Sequence, residues 1–247
     1  MIDDVFDCIR WVNSQISQVQ TTDAPILCFE DDNFPLRLKN NIACYNAIKF
    51  PLAIRYIGNI ENFKNNRIIS ISGSYKSEQS KEFSYECAIR FMQYGFTIAR
   101  LIFESKDPVL EAAKDFGGNN GFFGICPAFR NGIYEISKDL LQIVNEINGI
   151  LITPYAAAPH TLEDYAILES GISLGCVATE FNGASSTRFR IDTCKKIGRP
   201  VYVLDFKEPL PSANVINGNL FYLSAGLAEP ISNATLDRIV CHLLDCR

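Results

Sequence analysis

RIISISGSYKSEQSK, residues Arg67 to Lys81, is the stretch that decides the fold. Ile68 to Ser72 are β-branched or small, the composition of a strand buried on both faces, and Gly73-Ser74 interrupts the run. Ser77, Glu78 and Ser80 then open a helix, with a hydroxyl for its cap and an acid in its first turn. A strand, a tight turn and a helix N-terminus leave several N–H groups unpaired at the positive end of the helix dipole. Such a turn can hold a phosphate: Gly73 lets it approach the backbone, the N–H groups of Ser74 to Ser77 donate, and Lys76 adds a full charge.

Working outward, the same step repeats. A helix over Glu78–Tyr94 ends at Gly95, and strand 96–101 follows; a helix near 108–116 leads to strand 122–126, and one near 134–147 to strand 149–153. Helix 161–173, strand 176–181, helix 184–197, strand 200–205, a last strand at 219–223 and a helix at 232–244 complete the series. Strands and helices alternating at this spacing predict an α/β fold, a doubly wound, mainly parallel and Rossmann-like sheet. Ligands of such sheets bind at the carboxyl ends of the strands, here the loops Gly73–Ser77, Arg100–Lys106 and Asn182–Arg188.

Upstream, Val5, Ile9, Val12, Ile16 and Val19 recur at helical spacing, which predicts an amphipathic helix from Ile2 to about Val19. The expected organisation is an acidic helical extension over 1–33 and one main domain over 34–247, without a C-terminal winged helix. Residues 34–66 form a lead-in that packs against the sheet and contains one short strand at 52–57. The net charge of −5 argues against a polyanion partner until its distribution is considered. Seven acids against Arg10 in residues 1–33 account for all of it, so the main domain is near neutral and can carry a local basic patch. No apolar run is long enough to span a bilayer, and MIDDVFDCIRW lacks the basic start of a signal peptide, so a cytoplasmic location without membrane attachment is expected. The nine cysteines show no CxxC spacing and read as free thiols rather than metal ligands.

In order, the segments FPLRLKN (34–40), PLAIRYIGN (51–59), IISISGS (68–74), GILITPYAAAP (149–159), NGASSTR (182–188), IGRPVYVLD (197–205) and GNLFYLSAGLAEPI (218–231) resemble the DNA-processing protein A (Smf) family. The resemblance covers residues 34–245. It implies an extended Rossmann-like domain that binds single-stranded DNA, dimerises and loads a RecA-type recombinase during DNA uptake. The wider superfamily, the SLOG proteins, also holds nucleotide-ligand sensors and phosphoribohydrolases. Gly183 and Thr187 fit the family's Ser-Gly-x-x-x-Thr loop, with Asn182 in place of the serine, and Ala184, Ser185 and Arg188 join them as candidate phosphate-binding residues. This is a second anion-binding turn facing the first.

The departures thin the expected groove. Tyr75 stands where the family has a phosphate-contacting arginine, ARLIFESKDPVLEAA (99–113) lacks the family's first two glycines and its histidine, and Tyr165-Ala166-Ile167 replaces an Arg-Asn-Arg. Arg100, Lys106 and Arg190 remain as candidate DNA contacts beside Lys76 and Arg188. A phosphoribohydrolase needs paired carboxylates beside the ribose, and the aligned positions are Phe189 and Arg190. GxSxG, HExxH and Walker motifs are absent from the sequence. The expectation is therefore a non-enzymatic protein without metal or cofactor that holds single-stranded DNA or a nucleotide phosphate. The alternative is a nucleotide sensor or interaction protein whose DNA site has decayed.

Overall fold

The computed structural model describes residues 24–45, 47–103, 105–117, 121–127, 129–130, 133–134, 136–154 and 161–245. The amphipathic segment 2–19 and most of the loop 154–160 lie outside them.

In chain order the elements are β1 (Ile26–Cys28), α1 (Leu36–Cys44), β2 (Ala53–Gly58), a 3-10 turn (Ile60–Lys64), β3 (Ile68–Ser72), α2 (Glu78–Gln93), β4 (Thr97–Leu101) and α3 (Pro108–Phe116). There follow β5 (Phe122–Ile125), β6 (Phe129–Arg130), β7 (Ile133–Tyr134), α4 (Lys138–Glu146), β8 (Ile150–Pro154), α5 (Leu162–Ile172) and β9 (Cys176–Ala178). Last come α6 (Thr187–Lys196), β10 (Val201–Leu204), α7 (Ala213–Ser224), β11 (Glu229–Ile231) and α8 (Leu236–Asp245). Nine strands form one sheet in the order β1-β2-β8-β5-β4-β3-β9-β10-β11, and β6 and β7 pair separately. β8, β5, β4, β3, β9, β10 and β11 run parallel, while β1 and β2 add an antiparallel edge. Strand order reverses between β3 and β9, the switch point at which loops diverge to leave a crevice.

Both faces are covered. Ile69, Ile71 and Ile98 pack beneath α2, α3 and α8 on one side, through Phe91, Leu110 and Ile239. On the other, Phe123, Ile125 and Ile152 pack against Leu38 of α1 and Leu168 of α5, while Val203 meets Ile191 of α6 and Tyr222 of α7. This explains why β3 reads as an unbroken apolar run: all five of its residues are buried.

Local chemistry sets the helix ends. The Ser77 side chain accepts from Ser80 N at 3.2 Å to cap α2, and Asp107 accepts from Val109 N and Leu110 N to cap α3. Gly95 and Gly117, both at positive φ, let the chain leave α2 and α3.

Two segments differ from expectation. Ile26–Cys28 and Ala53–Gly58 do not merely pack against the sheet; they extend it, so the sheet begins inside the 1–33 segment that reads as an extension. Asn219–Leu223 is not a strand but part of α7. Its apolar letters suggest a strand, yet the buried positions Ile216, Asn219 and Tyr222 recur every three residues while Leu220 and Phe221 face out. The deciding residue is Asn219. Its amide accepts from Phe181 N and donates to the carbonyls of Thr179 and Leu204, which seals the ends of β9 and β10.

Candidate functional site

The two turns named from the sequence meet at the carboxyl ends of β3 and β9, where Ser72 Oγ and Thr187 Oγ1 lie 3.3 Å apart. What lies between them is Glu180, wholly buried and just beyond β9. Its carboxylate accepts from Ser74 Oγ at 2.6 Å, Lys76 N at 2.9 Å and Ser77 N at 2.9 Å, while its backbone carbonyl accepts from Ser74 N. The donors assigned to a phosphate thus hold a carboxylate of the chain itself, at the positive end of α2.

Gly73 is required by this latch rather than by a ligand. A Cβ there would lie 2.2 Å from Thr179 Oγ1 and 2.7 Å from Glu180 N. Gly73→Ala is expected to cost about 2 kcal/mol, the usual cost of overpacking, read as a lower denaturation midpoint with unchanged slope. A wild-type midpoint would show that β9 can yield.

The second turn is also internally satisfied. Gly183 N donates to Asn217 Oδ1 at 2.8 Å, Ala184 N to Asn182 Oδ1 at 3.1 Å, Ser185 N to Asn182 O, and Thr187 N to Ser185 Oγ at 3.3 Å. Gly183 itself is exposed and has room for a side chain.

The basic candidates divide into buried and exposed. Arg100 is buried: it donates to Asp107 at 3.0 Å and to the carbonyls of Ile71 and Gly73, and its guanidinium lies 4.5 Å from the Tyr75 ring centroid. Burial, the largest single influence, lowers its pKa, but the charge and hydrogen bond of Asp107 together with Tyr75 and Glu169 raise it overall, so the charge is retained. Burial pushes the Tyr75 phenol well above its ordinary value, and it stays neutral. Arg190 is buried too, its Nε donating at 2.5 Å to Glu169. Neither arginine is presented to a ligand, which corrects their assignment as DNA contacts. The cost of leaving each charge unpaired in the interior fixes its position.

Lys76, Lys106 and Arg188 are exposed, the last 3.4 Å from Asp192. Two apolar rings stand near them in the chain: Phe103, 66% exposed on the loop after β4, and Phe189, 40% exposed beside Arg188. Neither the rings nor the Glu180 latch was singled out from sequence. A carboxylate at the end of a buried strand, as in ATEF (178–181), is the one signal that could have pointed to Glu180. Beyond β10 and β11 a cleft of about 330 Å³ is lined by Glu82, Glu86, Asp205 and Glu208 against Lys207, a surface that repels anions. Among the described residues no cluster of metal-ligating side chains occurs and no helix is long and apolar enough to cross a membrane.

A doubly wound sheet with its switch point between β3 and β9 defines a Rossmann-like protein of the type seen in DNA-processing protein A. No protein-family model and no curated protein matches the sequence. Solved structures do: DNA processing protein A from Streptococcus pneumoniae aligns with a TM-score of 0.71 and 18% identity, covering 91% of this chain and 76% of that one. DNA processing protein A from Helicobacter pylori, described for its single-stranded DNA binding mode, aligns with a TM-score of 0.67 and 17% identity, covering 91% of this chain and 97% of that one. The superposition, not the low identity, establishes a shared fold.

Proposed function

We propose that this protein is a non-catalytic binder of single-stranded DNA, in the manner of DNA-processing protein A, at the carboxyl ends of β4, β3 and β9. The observation that carries the reading is the pairing of exposed cations with exposed rings: Lys106 with Phe103 on one loop, Arg188 with Phe189 at the start of α6, and Lys76 on the loop after the intervening strand β3. Aromatic faces stack bases and cations track the backbone, the two elements of sequence-tolerant single-strand recognition. The acidic cleft beyond β10 confines a strand to the other side of the switch point. The N–H groups of Ser74, Lys76, Ser77, Gly183, Ala184 and Ser185 are already engaged, so contact falls mainly to side chains, and a small number of phosphates is involved. Dimerisation and delivery of the strand to a RecA-type recombinase belong to the same reading. Paired carboxylates are absent from the aligned positions Phe189 and Arg190, which supports binding rather than hydrolysis.

Fluorescence anisotropy with labelled oligothymidine provides the test. Phe103→Ala is expected to weaken binding by about 1–3 kcal/mol, the range for one base stacked on a ring. Three cations predict a shallow salt dependence, with log K falling by about 2 per tenfold rise in salt. Binding that survives Phe103→Ala together with Lys106→Ala would place the strand elsewhere. Full competition by a mononucleotide would make the site one nucleotide wide.

A further inference from the structure

At the opposite end of the sheet stand arginines that have no carboxylate partner among the described residues. Arg37 lies on α1, Arg67 immediately precedes β3, and Arg199 lies two residues before β10, so all three gather where the strands begin. Arg37 and Arg199 are half-buried, and among the described residues none of the three takes part in an ion pair. Their partners are neutral: Arg37 donates to Asn66 O at 3.0 Å and Arg199 to Asn41 Oδ1 at 3.0 Å. Arg37 Nε and Arg199 Nη1 are out of contact with solvent and have no acceptor. Burial first, and then the charge of Arg37, hold Arg199 down to about 10. Half-buried guanidinium groups without a counter-charge are costly, and Arg100 and Arg190, buried toward the other end of this sheet, each have a carboxylate.

A cleft of about 420 Å³ opens at this place. Arg37 and Arg67 line it together with Leu36, Leu174, Leu243 and Leu244, and among the described residues no acidic side chain is in its walls. Leu36 is 57% exposed, an apolar surface left open beside a cationic one. A volume of this order suits a small-molecule ligand, and guanidinium pairs grip carboxylate or phosphate oxygens in bidentate fashion.

We propose that this cleft binds a small amphiphilic anion, its carboxylate or phosphate head between Arg37 and Arg67 and its apolar body along the four leucines. The site is separate from the carboxyl-end face, at the opposite end of the strands of the same sheet. The ligand supplies the counter-charge that these arginines lack among the described residues.

Calorimetry on the full chain tests this with decanoate, decyl phosphate, inorganic phosphate and decyltrimethylammonium. At least one of the two decyl anions is expected to bind with one-to-one stoichiometry, and the stronger of them assigns the head group. Inorganic phosphate should bind roughly tenfold more weakly or not at all, and the cationic amphiphile should not bind. Arg37→Gln and Arg67→Gln should each weaken the decyl anion by roughly tenfold, with Arg37→Lys retaining part of the affinity. Arg67 is exposed, so its variant reports binding even if Arg37→Gln folds poorly. Equal binding of the cationic amphiphile, inorganic phosphate matching decyl phosphate, or undiminished affinity in a folded Arg67→Gln would each overturn the proposal.

Discussion

Glu169→Ala is expected to lower stability by about 4 kcal/mol, the largest effect foreseen for any single change in this protein. Glu169 sits on α5 with no exposed surface, and its two oxygens accept from Arg190 Nε and Ser70 Oγ, each at 2.5 Å. It therefore ties α5 to α6 and to the central strand β3. Removing it leaves the Arg190 guanidinium, 1% exposed, with Ser186 Oγ as its remaining side-chain partner. At roughly 2–4 °C per kcal/mol for a chain of this size, the melting temperature should fall by about 8–16 °C. A double variant, Glu169→Leu with Arg190→Met, should recover much of the loss, because an apolar pair carries no unpaired charge. If the double variant melts as low as Glu169→Ala, packing rather than charge is responsible. The same variant should leave oligonucleotide binding unchanged, since Arg190 does not reach the surface.

Glu180→Ala should be nearly as costly, about 3 kcal/mol, and its loss should be reversible by an added anion. The substitution strips acceptors from Ser74 Oγ, Lys76 N and Ser77 N, two of them backbone donors ahead of α2. It also uncovers the turn that the sequence offers to a phosphate, Gly-Ser at the head of a helix. Millimolar phosphate or sulfate is therefore expected to raise the melting temperature of Glu180→Ala more than that of wild type, by the usual linkage of ligand binding to folding. Equal shifts in both proteins would mean that the turn collapses without its carboxylate. Glu180→Gln separates charge from shape: it can accept through one oxygen only, so it should fall between wild type and alanine.

The strand–turn–helix logic of Arg67–Lys81 was sufficient for the fold. Buried parallel strands announce themselves as apolar runs, and caps such as Ser77, Asp107 and Gly95 depend on neighbours within a few residues. The segment 219–223 failed because NLFYL is apolar in letters, while its helical state rests on Asn219 meeting Thr179, Phe181 and Leu204 across the sheet. The first turn reads as a nest of N–H groups for a phosphate, and in the structure it holds a carboxylate of the chain itself. Its occupant, Glu180, lies 104 residues along the chain from Lys76, and only the pairing of β3 with β9 brings them together.

The same division holds for charge. The sequence by itself determined how many cations stand near the strand ends and that the main domain is nearly neutral. Tertiary structure alone decided which of them are free. Arg100 and Arg190 turn inward because Asp107 and Glu169 await them, Lys76, Lys106 and Arg188 face out, and Arg37 and Arg199 are half-buried with no carboxylate partner among the described residues. Local pattern reports hydrophobic period and chain reversal, which depend on neighbours in sequence; the pairing of a charge depends on which distant element folds against it.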